Sequence, residues 1–377
     1  MTQIVDVSLL ARIRRYGAFD VNACFNCGNC TAVCRLSKDE DTFPRRLIRY
    51  GQVGMEDRLL AEKDLWRCYN CGECTRTCPR QAAPGDFMAA ARRYAISRYD
   101  ITGLARLLYG SVWGHVAAFL LLSVLLTLLL LWFKGDMNGQ RLALFDFIPG
   151  AVVHDLGLVI FGLIGIGLLA GVAIMLVRTH QRSRTTGKPA PVLRALIPAV
   201  LSAVGESVGQ ARYRECDADR VNEPWHARPW FAHAAMLWGF LGMLIATIVD
   251  FISKPIGTPL PIYAPVRLLG TLAGLLCMYG VAVVIFRRAH RPDVPYAGSR
   301  FSDWFFLLLL GAVVLTGLVT EVVVYLPAPS LFAYLVFLVH VVLAMDLVLL
   351  LPVTKFAHAV YRPLALFLHR WQELSRT

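Results

Sequence analysis

Eight cysteines fall into two runs of one spacing. Cys24, Cys27, Cys30 and Cys34 lie in CFNCGNCTAVC, and Cys68, Cys71, Cys74 and Cys78 lie in CYNCGECTRTCP. Each run reads C-x2-C-x2-C-x3-C, in which a folded-back loop offers three thiolates to one face of an iron-sulfur cube and points the fourth elsewhere. The chemistry this spacing serves is one-electron transfer through two [4Fe-4S] clusters. Zinc favours four ligands in paired C-x2-C units, and a disulfide framework makes no demand for a triple spacing. Cys216 and Cys277 stand isolated in the sequence. No oxidised framework is indicated, and the cysteine-rich part is expected to face a reducing cytoplasm.

By analogy with two-cluster ferredoxins, Cys24, Cys27 and Cys30 are expected to share one cluster with Cys78, and Cys68, Cys71 and Cys74 the other with Cys34. Pro79 after Cys78 fits the usual end of such a motif, whereas Arg35 follows Cys34. Between the motifs, Pro44 suits a first helical turn, and a second helix is expected to end at Leu65 and Trp66. Residues 1 to 100 lack β-branched alternation, which predicts a helical cluster domain rather than a βαβ one.

The rest of the chain is a membrane sequence. At 377 residues, 56% hydrophobic and mean hydropathy +0.54, it is too apolar for a soluble globular protein. Six apolar runs are long enough to span, at 112 to 133, 152 to 177, 230 to 252, 264 to 286, 303 to 325 and 331 to 353. The fold expected is therefore all-α, with a helical 2x[4Fe-4S] domain over 1–100 and a six-span transmembrane bundle over 101–377. Arg178, Arg182, Arg184, Lys188, Arg194, Arg212, Arg214, Arg220 and Arg228 crowd one connection, and Arg287, Arg288 and Arg291 follow the fourth span. The connections near 134 to 151, 253 to 263 and 326 to 330 are poor in Lys and Arg. By the positive-inside rule the basic segments, and with them the cluster domain, lie on the cytoplasmic side of the inner membrane. The Arg14-Arg15 pair is not followed by an apolar export core, so export is not expected. The net charge of +12 is accounted for by anionic lipid and acidic soluble partners, with no nucleic acid partner. The segment 191 to 215 has helical character and is read as a connecting helix on the membrane surface or against the cluster domain.

The motif CFNCGNCTAVC, the FPRRLIRYG element, the Leu65-Trp66 dipeptide and CYNCGECTRTCP together resemble the iron-sulfur C subunit of heterodisulfide reductase. Its membrane-fused relative, the C subunit of the quinone-interacting membrane-bound oxidoreductase, is similar in the order of its parts. Neither a CCG disulfide-reducing motif nor a Gly-rich flavin fingerprint is evident, so substrate chemistry is expected on other subunits.

Histidines inside lipid are costly and therefore functional suspects. His340 and His358, eighteen residues or five turns apart, would share one face of a single helix about 27 Å along its axis, with Pro352 between them as a possible kink. His233 lies near the cytoplasmic end of the third span, and two facing imidazoles suit a six-coordinate b-type haem. His233 with His358 is the first pair. The last five spans resemble the cytochrome b gamma subunit of respiratory nitrate reductase, and by that resemblance His233 and His358 match a cytoplasmic-side haem. The family's second histidine on the earlier helix falls at Met243, which leaves His340 to pair with His154, to pair with Met243, or to serve no outer haem. One or two haems b are thus expected. His115, beside Trp113, is read as interfacial, and His180, His226, His290 and His369 as surface residues. Gly157, Gly162, Gly165, Gly167 and Gly171 would let a helix or a porphyrin approach the second span. Asp346 and Glu321 are candidate proton carriers for quinone chemistry, or partners of polar neighbours.

The resemblances imply an electron-transfer role between the quinone pool and a cytoplasmic flavin and iron-sulfur partner resembling the A subunit of heterodisulfide reductase. Two other readings stay open: the haem and iron-sulfur partner of a flavin dehydrogenase for a small carboxylate, as in the tricarballylate-utilisation system, and a redox-sensing or assembly protein.

Overall fold

In the computed structural model, residues 5–37, 42–135, 142–185, 192–218, 220–253, 261–290, 294–325 and 330–375 are described. Lys188 and Arg291 of the basic segments, and much of the three Lys- and Arg-poor connections, lie outside them. The described residues form helices and no strand. In the first hundred residues these are α1 (Leu9–Arg15), α2 (Asn29–Ala32), α3 (Arg45–Gln52), α4 (Glu56–Leu60), α5 (Asp64–Arg67), α6 (Glu73–Arg76) and α7 (Pro84–Tyr99). The second linking helix expected from the sequence is two short ones, α4 and α5. Helix α7 opens with Pro84 in its first turn, where a missing N–H costs nothing. It is buried on nearly every side, through Phe87, Met88, Ala90, Ala91, Tyr94 and Ala95 among others, and so serves as the axis of the cluster domain.

Beyond it come α8 (Leu104–Gly110), α9 (Val112–Trp132), α10 (Leu144–Phe147), α11 (Gly150–Thr185), α12 (Leu196–Gly209), α13 (Ala211–Cys216), α14 (Pro229–Ser253), α15 (Pro265–His290), α16 (Val294–Ala297), α17 (Phe301–Val323), α18 (Leu331–Leu349) and α19 (His358–Leu374). Six of these, α9, α11, α14, α15, α17 and α18, are long and apolar enough to cross a membrane, and all six coincide with the runs read from the sequence. Their outward faces carry large apolar side chains such as Leu128, Leu163, Leu272 and Leu308, as lipid contact requires.

Close helix approach comes from glycines other than most of those expected. A Cβ on Gly239 or Gly280 would collide with the backbone of the facing helix, and these residues seat α14 against α15. On α11 a Cβ at Gly157, Gly162 or Gly165 would meet nothing, whereas one at Gly171 would collide with the Tyr361 hydroxyl.

The cluster domain and the bundle share one continuous core running from Leu9 to Ala365. Trp66, Tyr99 and Tyr361 interlock, with ring centroids 5.0 to 6.3 Å apart, so the Leu65-Trp66 dipeptide is buried at the junction. Polar pins surround it. Asp303, at the start of α17, accepts from Arg93 of α7 at 2.5 Å and from Lys355 at 2.8 Å. Burial pushes the Lys355 ammonium down to about 8, although Asp303 opposes the shift. Arg178 and Arg182, on the extension of α11 past the expected span, reach Asp57 and Tyr50. The connecting helix α12 packs on α19 and meets the cluster domain where Tyr69 donates to Glu206.

One sequence expectation fails here. His340 and His358 do not share a helix: α18 ends at Leu349, two 3-10 turns follow at Leu351–Val353 and Lys355–Ala357, and α19 begins at His358 itself. Pro352 removes an amide donor and clashes with the preceding turn, and Thr354 is extended at φ −112° and ψ −174°. The five-turn register between the two histidines is therefore lost.

Candidate functional site

The two cysteine loops are built alike. Asn26 and Asn70 adopt φ of 68° and 58°, and Gly28 and Gly72 adopt φ of 95° and 86°. Asparagine and glycine are the residues that enter this left-handed region at least cost, so the shared C-x-N-C-G-x-C pattern folds each loop back on itself. The short helices α2 and α6 that follow pack against each other, and the Asn29 amide donates to the Thr77 carbonyl at 2.5 Å.

That pairing brings the cysteines into crossed sets. Cys30 feels the charges of Cys24, Cys27 and Cys78, while Cys34 feels those of Cys68 and Cys71. Cys34, Cys68, Cys71 and Cys74 also line one cavity. Burial, reinforced by neighbouring thiolates, pushes Cys30 up to about 11; burial also pushes Cys34 up to about 12. Four thiolates in such surroundings need a cationic centre, so the donor chemistry fits a cluster at each set. Backbone amides aim at the sulfurs as well, Asn70 N–H at Cys68 Sγ (3.3 Å) and Ala82 N–H at Cys78 Sγ (3.4 Å).

The second set touches the membrane part directly. The Cys68 carbonyl accepts from Arg92 at 3.2 Å and from Arg362 at 3.1 Å. The Arg362 guanidinium lies 3.7 Å over the Tyr69 ring, Tyr69 stacks on Tyr213 at 5.2 Å, and Tyr213 meets His233 edge-on at 5.8 Å. His233 in turn faces His358, with ring centroids 6.2 Å apart and planes at 54°.

Each of these two imidazoles is held through Nδ1. His233 Nδ1 pairs with Gln210 Oε1 at 3.0 Å, and His358 Nδ1 donates to the Lys355 carbonyl at 2.6 Å. Gln210 is buried and left-handed (φ 51°) at the junction of α12 and α13. Fixing Nδ1 with an acceptor leaves Nε2 with its lone pair available, the arrangement a metal ligand needs. Burial holds His358 down to about 4, so it is neutral at neutral pH. Two facing imidazoles at this separation would together ligate one metal centre.

The other sequence candidates sit elsewhere. His340 Nδ1 is engaged by Thr316 and the Val313 carbonyl of α17, with Gly317 leaving room for its ring. His154 Nδ1 pairs with its neighbour Asp155 at 3.1 Å. Met243 packs beside Gly274. Asp346 is fully buried and accepts from Ser123 at 2.6 Å, while Glu321 lies 3.7 Å from Arg267. His115, near the start of α9, is 1% exposed, its ring packed on Phe301 and Phe305. Sequence reading also missed Cys216, which lines the cavity of the second cysteine set. Nothing in its local sequence marks it.

Residues 20–82 match the 4Fe-4S dicluster domain family, and residues 110–377 match the family of citrate utilization protein B. Over 91 residues, 24% of this chain, it is 31% identical to the C subunit of the H(2):CoB-CoM heterodisulfide,ferredoxin reductase of Methanothermobacter marburgensis, covering 49% of that protein. Over 94 residues, 25% of this chain, it is 34% identical to a protein of Archaeoglobus profundus that is itself like the heterodisulfide reductase C subunit, covering 50% of it. The match thus spans about half the length of these relatives. No solved structure matches.

Proposed function

Because this chain belongs to the citrate utilization protein B family, with an iron-sulfur domain similar to the C subunit of heterodisulfide reductase at its head, we propose that it is the membrane electron-transfer subunit of an oxidoreductase. In this reading Cys24, Cys27, Cys30 and Cys78 hold one [4Fe-4S] cluster and Cys34, Cys68, Cys71 and Cys74 the other. His233 and His358 hold a haem b. When bound, these groups supply single-electron steps between a two-electron flavoprotein partner and the quinone pool. The chain's own residues do the positioning. Gln210 and the Lys355 carbonyl set the tautomer of the two imidazoles, Arg362 ties α19 to the Cys68 carbonyl, and the Trp66, Tyr99 and Tyr361 rings exclude water from the junction.

The observation that carries the reading is the facing of His233 and His358 one aromatic layer, Tyr69 and Tyr213, from the second cysteine set. The basic residues Arg178, Arg182, Arg287 and Arg288 lie at the helix ends nearest the cluster domain, which supports a cytoplasmic orientation under the positive-inside rule. His340 carries no second haem in this proposal, since among the described residues no imidazole faces it as His358 faces His233.

Two observations favour different partners. The N-terminal similarity supports a flavoprotein of the heterodisulfide reductase kind. The family match covers far more of the chain, and its name, which speaks of citrate utilization, supports a partner acting on a small carboxylate such as a tricarboxylate, which is the reading we adopt. The test is His358→Ala in the purified full-length protein. Haem b absorption is expected to disappear while iron-sulfur content stays; unchanged haem would overturn the assignment. Copurification of a flavoprotein reduced by tricarboxylates, rather than by thiols, tests the partner.

A further inference from the structure

A [4Fe-4S] cluster takes four cysteines, yet five line the cavity of the second set: Cys34, Cys68, Cys71, Cys74 and Cys216. The fifth comes from the connection between two membrane spans, at the last residue of α13. Its position is fixed from both sides. The Glu215 carbonyl accepts from Arg35, the residue after Cys34, at 2.5 Å, and three residues earlier Tyr213 stacks on Tyr69. Cys216 is half-buried and lines this cavity together with Cys71.

We propose that Cys216 is a positioning residue whose S–H donates to a ligand sulfur of this set and raises the reduction potential of the membrane-proximal cluster. The inference rests on the cluster assignment above. A donor on a ligand sulfur withdraws negative charge from it. The reduced cluster carries one more electron than the oxidised one and so gains more from the donor, which favours reduction. The first cysteine set has no counterpart among the described residues, since Cys216 and Cys277 are the only cysteines outside the two motifs and Cys277 is buried within the bundle on α15. One thiol on the membrane side would thereby set the two potentials apart.

The experiment is an EPR-monitored redox titration, with iron counts, of the anaerobically purified full-length protein and its Cys216→Ala and Cys216→Ser variants. Cys216→Ala is expected to keep full iron and to move one of the two midpoints to more negative potential, leaving the other in place. Cys216→Ser, which keeps an O–H donor and a similar volume, should show a smaller movement of the same midpoint. Unmoved midpoints, or both moving alike, would overturn the proposal, as would loss of about half the iron in Cys216→Ala, which would make Cys216 itself a ligand. Absence of cluster signals from the unaltered protein would sink the underlying cluster assignment instead, and this inference with it.

Discussion

The two cysteine loops share spacing, backbone and helix, but their surroundings are opposite. Phe25 and Tyr69 occupy the same place in the two motifs. Phe25 is 62% exposed, with the Arg80 guanidinium 5.9 Å from its ring centre, and Cys27 beside it is open to solvent. Tyr69 is enclosed by Arg362, Tyr213 and Glu206. A repeated motif therefore fixes what a site can bind, while the element docked on it decides what it faces. The first loop is open to solvent, and the second is walled in by the membrane part.

The crossing of the sets gives the sharpest way to break this comparison. Cys78→Ala is expected to remove the outward cluster and Cys34→Ala the inward one, each lowering iron from about eight to about four atoms per chain. The signal that survives Cys78→Ala should be the one sensitive to Cys216. Were the ligands uncrossed, that signal would survive Cys34→Ala instead.

A smaller effect tests the wall around the inward loop. Asp303→Asn leaves Arg93 buried without its carboxylate, with the half-exposed Lys355 losing the same partner, and breaking a buried pair in this way costs about 3–5 kcal/mol. Arg178→Ala removes a partner of Asp57, which is 88% exposed, and should cost about 0–1 kcal/mol. Thermal unfolding in detergent of the two variants, side by side, measures whether the docking depends on the buried pin.

A further expected effect is one of pH. Burial, with the charge of Arg67 adding to it, holds His369 down to about 3, below its ordinary 6.5 in the unfolded chain. The unfolded state then binds the proton first, so stability is lost as pH falls from 6.5 toward 3. His369→Gln should flatten that acid limb of the unfolding curve, and an unaltered slope would remove His369 from the α5–α19 junction as a titrating group.

Local pattern was enough for the eight cysteines, the six spans and the absence of strands in the described residues, because each depends on residues near in sequence: ligand spacing, runs of apolar side chains, missing alternation. The Asn and Gly at the left-handed positions were equally legible and explain why both loops fold back. On α11, Gly157, Gly162 and Gly165 misled, since small residues mark a close approach only if a neighbour comes, and the neighbour came to Gly171 and to α14 and α15 instead.

What the amino-acid order alone determined, then, is an all-helical chain with a two-cluster head and a six-span apolar body. Tertiary structure decided that Cys34 lies with Cys68, Cys71 and Cys74, that Cys216 joins them, that His233 meets His358, and that α18 stops before His358. The reason is physical. Spacing and hydropathy act within a few turns of helix, whereas these meetings join residues far apart along the chain and exist only because buried aromatic rings and the Asp303 pin hold the cluster domain against the bundle.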